Sequence, residues 1–294
     1  MTINGLLNYG VKKLKERELD NPVNKAKILL ANLLNVQKEY LVINQDKSID
    51  DEKVTRYKQD IDDLIIGKPL QYITNSVEFM RLKFYVDENV LIPRPDTEIL
   101  VEEVINASKE FATLAKGRMS QSDRGDLKIL DLCTGSGAIA ISLEKYIHNS
   151  EVYASDISEK ALKIAKLNNN YNNTKVKFIK SDLFNDIEIK DFDIIVSNPP
   201  YIETNIIKTL DPEVQKEPYI ALNGGEDGMT FYKKIIQSAS EYLKPKGYLF
   251  LEIGYNQKQG VTDLLNENGY YIEIECIKDL NGLDRVIKSR SYNK

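Results

Sequence analysis

Ile129-Leu130-Asp131-Leu132-Cys133-Thr134-Gly135-Ser136-Gly137-Ala138 decides the fold. Four residues, mostly apolar, read as a buried strand. Two glycines permit a tight turn, and Ala138 to Tyr146 follows with helical spacing. A glycine turn between a strand and a helix lets a ligand approach the backbone closely. Asp156 ends the next apolar run, 19 residues after Gly137, the spacing of a carboxylate that binds ribose hydroxyls. These two features fit a dinucleotide and S-adenosylmethionine equally. The turn lacks a third glycine, because Ala140 stands three residues beyond Gly137. Together with the preceding acid, Asp131, that suits a cationic amino-acid ligand better than a pyrophosphate.

Strands and helices alternate outward from this turn. Val152–Ser155, Val176–Ile179, Ile194–Val196 and Gly247–Ile253 read as strands. The helices are Glu159–Leu167, Phe231–Leu243 and Gln257–Leu265. Tyr270–Cys276 and Arg285–Ile287 close the series through a short loop. Counting Ile129–Leu132, this predicts an α/β fold: a seven-stranded, mostly parallel, doubly wound sheet with an antiparallel edge strand. Residues 1–72 read as a small all-helical domain of four or five helices, with Asn21 and Asp50 or Asp51 as caps and Gly67 as a stop. Residues 73–92 alternate like a β-hairpin and are expected to link the domains, leaving 93–294 as the cofactor-binding domain. Asp96 or Thr97 should cap a helix running to about Ala115, and Lys116–Gly125 reads as a surface loop.

Asn198-Pro199-Pro200-Tyr201 follows the strand ending at Ser197. The prolines stiffen the chain, and the first keeps Asn198 extended. Asn198 Oδ1 and a proline carbonyl offer two acceptors to a planar –NH2 group, and the Tyr201 ring can cover its flat face. After the third strand, Asp182 can accept from an exocyclic amine, and Leu183 can pack on a ring.

Composition narrows the classes. The 294 residues carry a net charge of −5, which lacks the basic field of a protein gripping phosphates. Two distant cysteines make neither a disulfide framework nor a zinc site and suit a reducing cytosol. The single histidine, His148, reads as a helix-end residue, so neither a histidine-based triad nor a histidine-rich metal site is expected. No run is apolar enough to act as a signal peptide or to span a bilayer.

The order of these motifs resembles the class I S-adenosylmethionine-dependent methyltransferases. More closely it resembles the HemK family, protein-(glutamine-N5) methyltransferases that modify peptide chain release factors. The resemblance rests on Gly67–Ile73, Leu91–Glu98, Asp131–Gly137, Asp156, Ser181-Asp182 and Ser197–Tyr201. It continues through Asp211–Val214, Glu217-Pro218, Gly224–Gly228, Glu252–Gly254 and Asp284–Val286, covering nearly the whole chain. The Asn-Pro-Pro-Tyr motif is shared with adenine-amino DNA methyltransferases; Pro-Arg-Pro-Asp-Thr-Glu is more specific. Cys133, Asn75 and Arg81 stand where the family commonly has glycine, and Met80 replaces an aromatic residue.

The resemblance implies S-adenosylmethionine as methyl donor, with S-adenosylhomocysteine as product. Its site would comprise Cys133, Thr134, Gly135, Ser136, Gly137, Asp156, Asp182, Leu183 and Asn198. Asn198 and Pro199 would orient the acceptor amide, and Pro200 and Tyr201 would complete the substrate site. The acceptor implied is the glutamine of the Gly-Gly-Gln motif in release factors, in the cytoplasm. The helical domain carries no catalytic constellation and reads either as a structural lid or as a substrate-docking module. Direct nucleic-acid or membrane binding is not expected. The alternatives are a ribosomal-protein glutamine, an adenine amino group, and a module that senses the cofactor without catalysis.

Overall fold

The computed structural model describes residues 1–116 and 127–292. The surface loop expected over Lys116–Gly125 therefore falls, from residue 117 onward, outside the described residues. The chain forms two compact units, Met1–Ser76 with Leu210–Lys216, and Val77–Thr209 with Glu217–Lys294.

The first unit contains five helices: α1 (Ile3–Glu16), α2 (Pro22–Leu34), α3 (Lys38–Ile43), α4 (Asp51–Ile65) and α5 (Leu70–Thr74). Leu6, Leu14, Leu30, Tyr57 and Ile61 fill its interior. A Cβ at Gly10 of α1 would lie 2.2 Å from the Tyr57 hydroxyl, so α1 meets α4 where a side chain is missing. Asp50 caps α4 by accepting from the Lys53 amide at 2.8 Å. Asn21 precedes Pro22 at the start of α2, but it is left-handed and its side chain makes no cap bond. Its amide instead turns to Asp20 at 3.4 Å. Leu210–Lys216 joins this unit, with Lys25 Nζ 3.4 Å from Glu213.

The second unit opens with a hairpin, β1 (Val77–Phe79) and β2 (Leu82–Phe84). Phe79 and Phe84 are buried in one cluster with Leu100, Val104 and Ile129, so the hairpin is part of this unit's core. Its turn is made by Met80 and Arg81, both left-handed, with φ of 49° and 58°. Two-residue hairpins favour that geometry, which glycine usually supplies. Here both polar backbone groups of Met80 are held. Its amide donates to Glu98 at 2.6 Å, and its carbonyl accepts from the Tyr146 hydroxyl at 2.6 Å.

Helix α6 (Thr97–Lys116) follows. Then come β3 (Leu127–Leu132), α7 (Ala138–Tyr146), β4 (Ser150–Asp156), α8 (Glu159–Tyr171), β5 (Lys177–Lys180) and β6 (Phe192–Ser197). The series ends with α9 (Tyr219–Leu222), α10 (Thr230–Ala239), β7 (Leu243–Glu252), α11 (Lys258–Asn268), β8 (Tyr271–Lys278) and β9 (Asp284–Ser291). Among the described residues seven strands form one sheet, in the order β5-β4-β3-β6-β7-β9-β8. β3 to β7 are parallel. β9 runs against β7 and β8, which places the antiparallel pairing at that edge. Alternation sorts the strands between two faces. Ile129, Ile194, Val196 and Phe250 meet α6 and α7, whereas Leu130, Leu132, Ile195 and Leu249 meet α10 and α11.

Several boundaries differ from the sequence expectation, among them the end of α8, which runs on to Tyr171. Helix α10 stops at Ala239, and Leu243–Lys246 already belongs to β7. Pro245 cannot continue a helix, and Leu243 pairs with Phe192 across an irregularity in register. β9 is longer than its apolar centre, since its polar residues still pair with β7 and β8.

Candidate active site

The chain progresses from β3 through β4 to β5 in one direction across the sheet, then returns to β6 on the other side of β3. Such a reversal opens a crevice at the carboxyl ends of the central strands. A cleft of about 280 Å³ lies there, and Cys133, Gly135, Asp156, Asp182, Leu183, Asn198 and Pro200 line it. Seven expected site residues from four separate stretches thus share one cavity.

The turn after β3 is built by its own polar atoms. Thr134 Oγ1 donates to Asp131 Oδ2 at 2.6 Å, and the Thr134 amide donates to the Ser155 carbonyl at 2.9 Å. Burial pushes the Asp131 carboxyl up to about 7, with the Thr134 hydroxyl opposing that rise. The Gly135 amide donates to Asp156 Oδ2 at 2.9 Å, and the Ser158 amide to Oδ1 at 2.8 Å. The carboxylate is therefore aimed before any ligand arrives, and its remaining lone pairs are available to hydroxyl donors. Burial raises the Asp156 pKa, and the Ser158, Gly135 and Ile157 amides counter it.

Gly135 has φ of 54°, and the space its side chain would occupy holds no atom within 4 Å. Gly137 serves packing instead, since a Cβ there would lie 2.9 Å from Ile141. Cys133 adopts φ of 59°, the conformation a glycine takes at no cost. Burial pushes its thiol pKa up, so it is a neutral packing residue rather than a nucleophile. Leu183 is also left-handed, at φ of 52°, and Ser181 Oγ donates to its carbonyl at 2.8 Å.

Asn198 extends from the end of β6, with its Nδ2 donating to Thr97 Oγ1 at 3.3 Å. That leaves Oδ1 as the end of the amide that faces the cleft. Other expected residues lie behind the wall. Thr134 and Ser136 are buried, and the Ser136 carbonyl accepts from Asn168 at 2.9 Å. Tyr201 packs against the α10–α11 side of the core, and its carbonyl accepts from Gln257 Nε2 at 2.9 Å. Pro199 is buried and, unlike Asn198 and Pro200, does not line the cleft. His148 sits exposed in the turn after α7.

The structure adds cleft residues that were not among the expected site residues: Val90, Leu91, Ile157, Pro218, Ile220 and Phe231. Leu91 and Pro218 fall within stretches that carry the resemblance, and Ile157 follows the ribose-type acid and could have been inferred from that position. Ile220 could not, because the stretch after Tyr201 has no periodic pattern. A buried pin holds this stretch. Glu217 accepts from the Ile92 amide at 3.0 Å and pairs with Arg94.

The donor set suits S-adenosylmethionine. Asp156 and Asp182 would meet ribose hydroxyls and amine donors, the apolar walls would meet a base, and the Gly135 turn leaves room for close backbone approach. No group of three metal-ligating side chains occurs among the described residues, nor any helix long and apolar enough to cross a membrane.

Replacing Asp156 with alanine removes a charged acceptor from this set. Binding of S-adenosylhomocysteine should weaken by about 1.5–3 kcal/mol, the range for hydrogen bonds to charged groups. Isothermal calorimetry measures this directly. A loss below about threefold would take Asp156 out of ribose recognition.

Comparison with known proteins gives the same picture. Residues 5–74 match the PrmC N-terminal domain and residues 116–212 the methyltransferase small domain. The chain is 39% identical to the release factor glutamine methyltransferase of Clostridium botulinum, covering 99% of this chain and 100% of that protein. It is 40% identical to the namesake protein of Thermodesulfovibrio yellowstonii, covering 94% and 98%. The hMettl16 catalytic domain shares the fold at 15% identity, with a TM-score of 0.55 over 90% of this chain and 93% of that one. With such identity held from end to end, the chain belongs to the release factor glutamine methyltransferase family.

Proposed function

We propose that this chain methylates the side-chain amide nitrogen of the glutamine in the Gly-Gly-Gln motif of peptide chain release factors, using S-adenosylmethionine, in the cytoplasm. The observation that carries the reading is Asn198. Its Nδ2 is engaged on Thr97, so its acceptor oxygen points into the same cleft as Asp156 and Asp182.

The cofactor, when bound, supplies an electrophilic methyl group on a sulfonium. The difficulty lies with the acceptor, because an amide nitrogen shares its lone pair with its carbonyl. Asn198 Oδ1 and the Pro199 carbonyl accept the two amide hydrogens. That aims the nitrogen and favours the positive charge developing on it. The gain is positioning and fixed dipoles rather than proton abstraction, and the surplus proton on the methylated nitrogen leaves to water. Asp156 holds the ribose, Asp182 the exocyclic amine, and Leu183 and Ile157 flank the base. Tyr201 braces the lip from its packed position. Cys133, Thr134, Ser136 and Gly137 act by shaping the turn.

The helical unit, which carries no catalytic constellation, docks the protein substrate. An intact release factor should then show a lower KM than a short peptide carrying the motif alone. Equal KM values would remove the docking role. The function itself is tested by mass spectrometry of a release factor after incubation with the protein and cofactor. A gain of one CH2 on the motif glutamine, absent when that residue is alanine, is expected. Methylation of a ribosomal-protein glutamine or of adenine in DNA, with the release factor unmodified, would overturn it.

A further inference from the structure

Glu252 has no part in the chemistry above, yet it is 1% exposed and stands directly behind Asn198. β6 and β7 are parallel, with Ser197 opposite Leu251, so the next residues along are Asn198 and Glu252. Phe250 of β7 faces α6, and Glu252 continues that face by alternation. Thr97, 4% exposed at the start of α6, receives the Asn198 amide at 3.3 Å, and its hydroxyl favours the charged form of Glu252.

Burying a carboxyl is costly unless it is paired. The nearby cation, Arg285 on β9, is shared with other acids, lying 3.0 Å from Asp279 and 3.4 Å from Asp96. Glu252 Oε2 has no hydrogen-bond partner. Stability alone would be better served by an apolar residue.

An amide side chain can point either way. Flipped, Asn198 would present –NH2 to the cleft and could not accept hydrogens from an acceptor amide. An ionised carboxylate is acceptor-only and disfavours an amide oxygen turned toward it. We propose that Glu252, acting through Thr97, is a positioning residue that holds Asn198 with Nδ2 inward and Oδ1 toward the acceptor. This rests on the functional reading of Asn198.

The charged groups around Glu252 are Arg285 on β9, Asp96 before α6, Tyr201 after β6 and Tyr232 on α10. Burial pushes Glu252 up to about 7, against Thr97, Arg285 and Asn198, while Asp96 adds to the rise. Below that pH the protonated carboxyl can donate as well as accept, and its preference for one Asn198 orientation weakens.

The test is nuclear magnetic resonance of protein labelled with 15N-asparagine, which needs no acceptor substrate. The Asn198 side-chain pair, assigned by its loss in Asn198→Ala, should move with pH, with a midpoint near 7. In Glu252→Gln that movement should vanish, although Asp131, also raised to about 7, is still present. Thr97→Val should shift the pair and lower kcat by about tenfold or more, the scale of a misplaced reacting geometry. Its affinity for S-adenosylhomocysteine should stay within about twofold, and Thr97→Ser should restore kcat. Titration persisting in Glu252→Gln, or wild-type resonances and kcat in Thr97→Val, would overturn the assignment. A wild-type protein that leaves the release factor unmodified would overturn the functional reading alone.

Discussion

Asn198→Ala should lower turnover about 10²–10³-fold, the usual loss when one preorganised catalytic hydrogen-bond group is removed. Cofactor affinity should barely change, since Asp156 and Asp182 remain in the cleft. On the reading proposed above, the substitution deletes one of two acceptors that aim the amide nitrogen, and the Pro199 carbonyl alone would leave the group free to rotate. KM for the release factor should move little, because the docking proposed for the helical unit does not use this amide. Stability should also hold, because Asn198 is half-buried and the hydrogen bond its amide donates to Thr97 is a long one, 3.3 Å. Single-turnover kinetics at saturating cofactor measure the loss. A kcat within about fivefold of wild type would show that the Asn198 oxygen does not orient the acceptor.

Gly224→Ala should be nearly as damaging, by a different route. A Cβ at Gly224 would lie 2.7 Å from Tyr201 Cα, 2.8 Å from its carbonyl carbon and 2.9 Å from the Pro200 oxygen. All three are backbone atoms of the lip, so no side-chain rotation relieves the contact. The Gly224 amide also donates to the Ile202 carbonyl at 2.8 Å, and the Ile202 amide donates to the Leu222 carbonyl at 3.0 Å. The two strands of chain are thereby clamped at the spacing that only a missing side chain permits. Relief requires the Pro200–Tyr201 backbone to move by some tenths of an ångström or more. Because the same rigid lip carries Asn198, turnover should fall about 10²-fold, the scale expected when a reacting group is displaced. Overpacking should also cost about 1–3 kcal/mol of stability. Thermal unfolding and kcat are the two measurements. Wild-type values of both would mean that the lip is not held by Gly224.

Local chemistry made much of the second unit readable. Buried parallel strands are apolar runs, helices have their own period, and a glycine turn joins β3 to α7. These signals come from neighbouring residues, and the structure places the elements within a few residues of expectation. Asp156, Asp182, Leu183 and Asn198 were legible for the same reason: each follows an apolar run, and the parallel topology sends all those ends to one edge. Ends of elements were less legible. Leu243–Lys246 reads as the tail of a helix by local pattern, but pairing with Phe192 draws it into β7. Asn21 is a good capping residue by type, yet its left-handed backbone turns the side chain away from the helix.

What the sequence by itself determined is the α/β class, the strand series and several of the residues that line the cleft at the sheet's carboxyl edge. Those follow from propensity, periodicity and topology, which are local or nearly so. Only the tertiary structure decided what supports the edge. Thr97 reaches Asn198 across 101 residues of sequence. Glu252 stands behind both through strand register, and Gly224 presses on Tyr201 through a clamp between loops. Nothing in a single sequence marks such pairs. Each depends on which side chains face each other after packing, where a shift of about 1 Å separates a hydrogen bond from none.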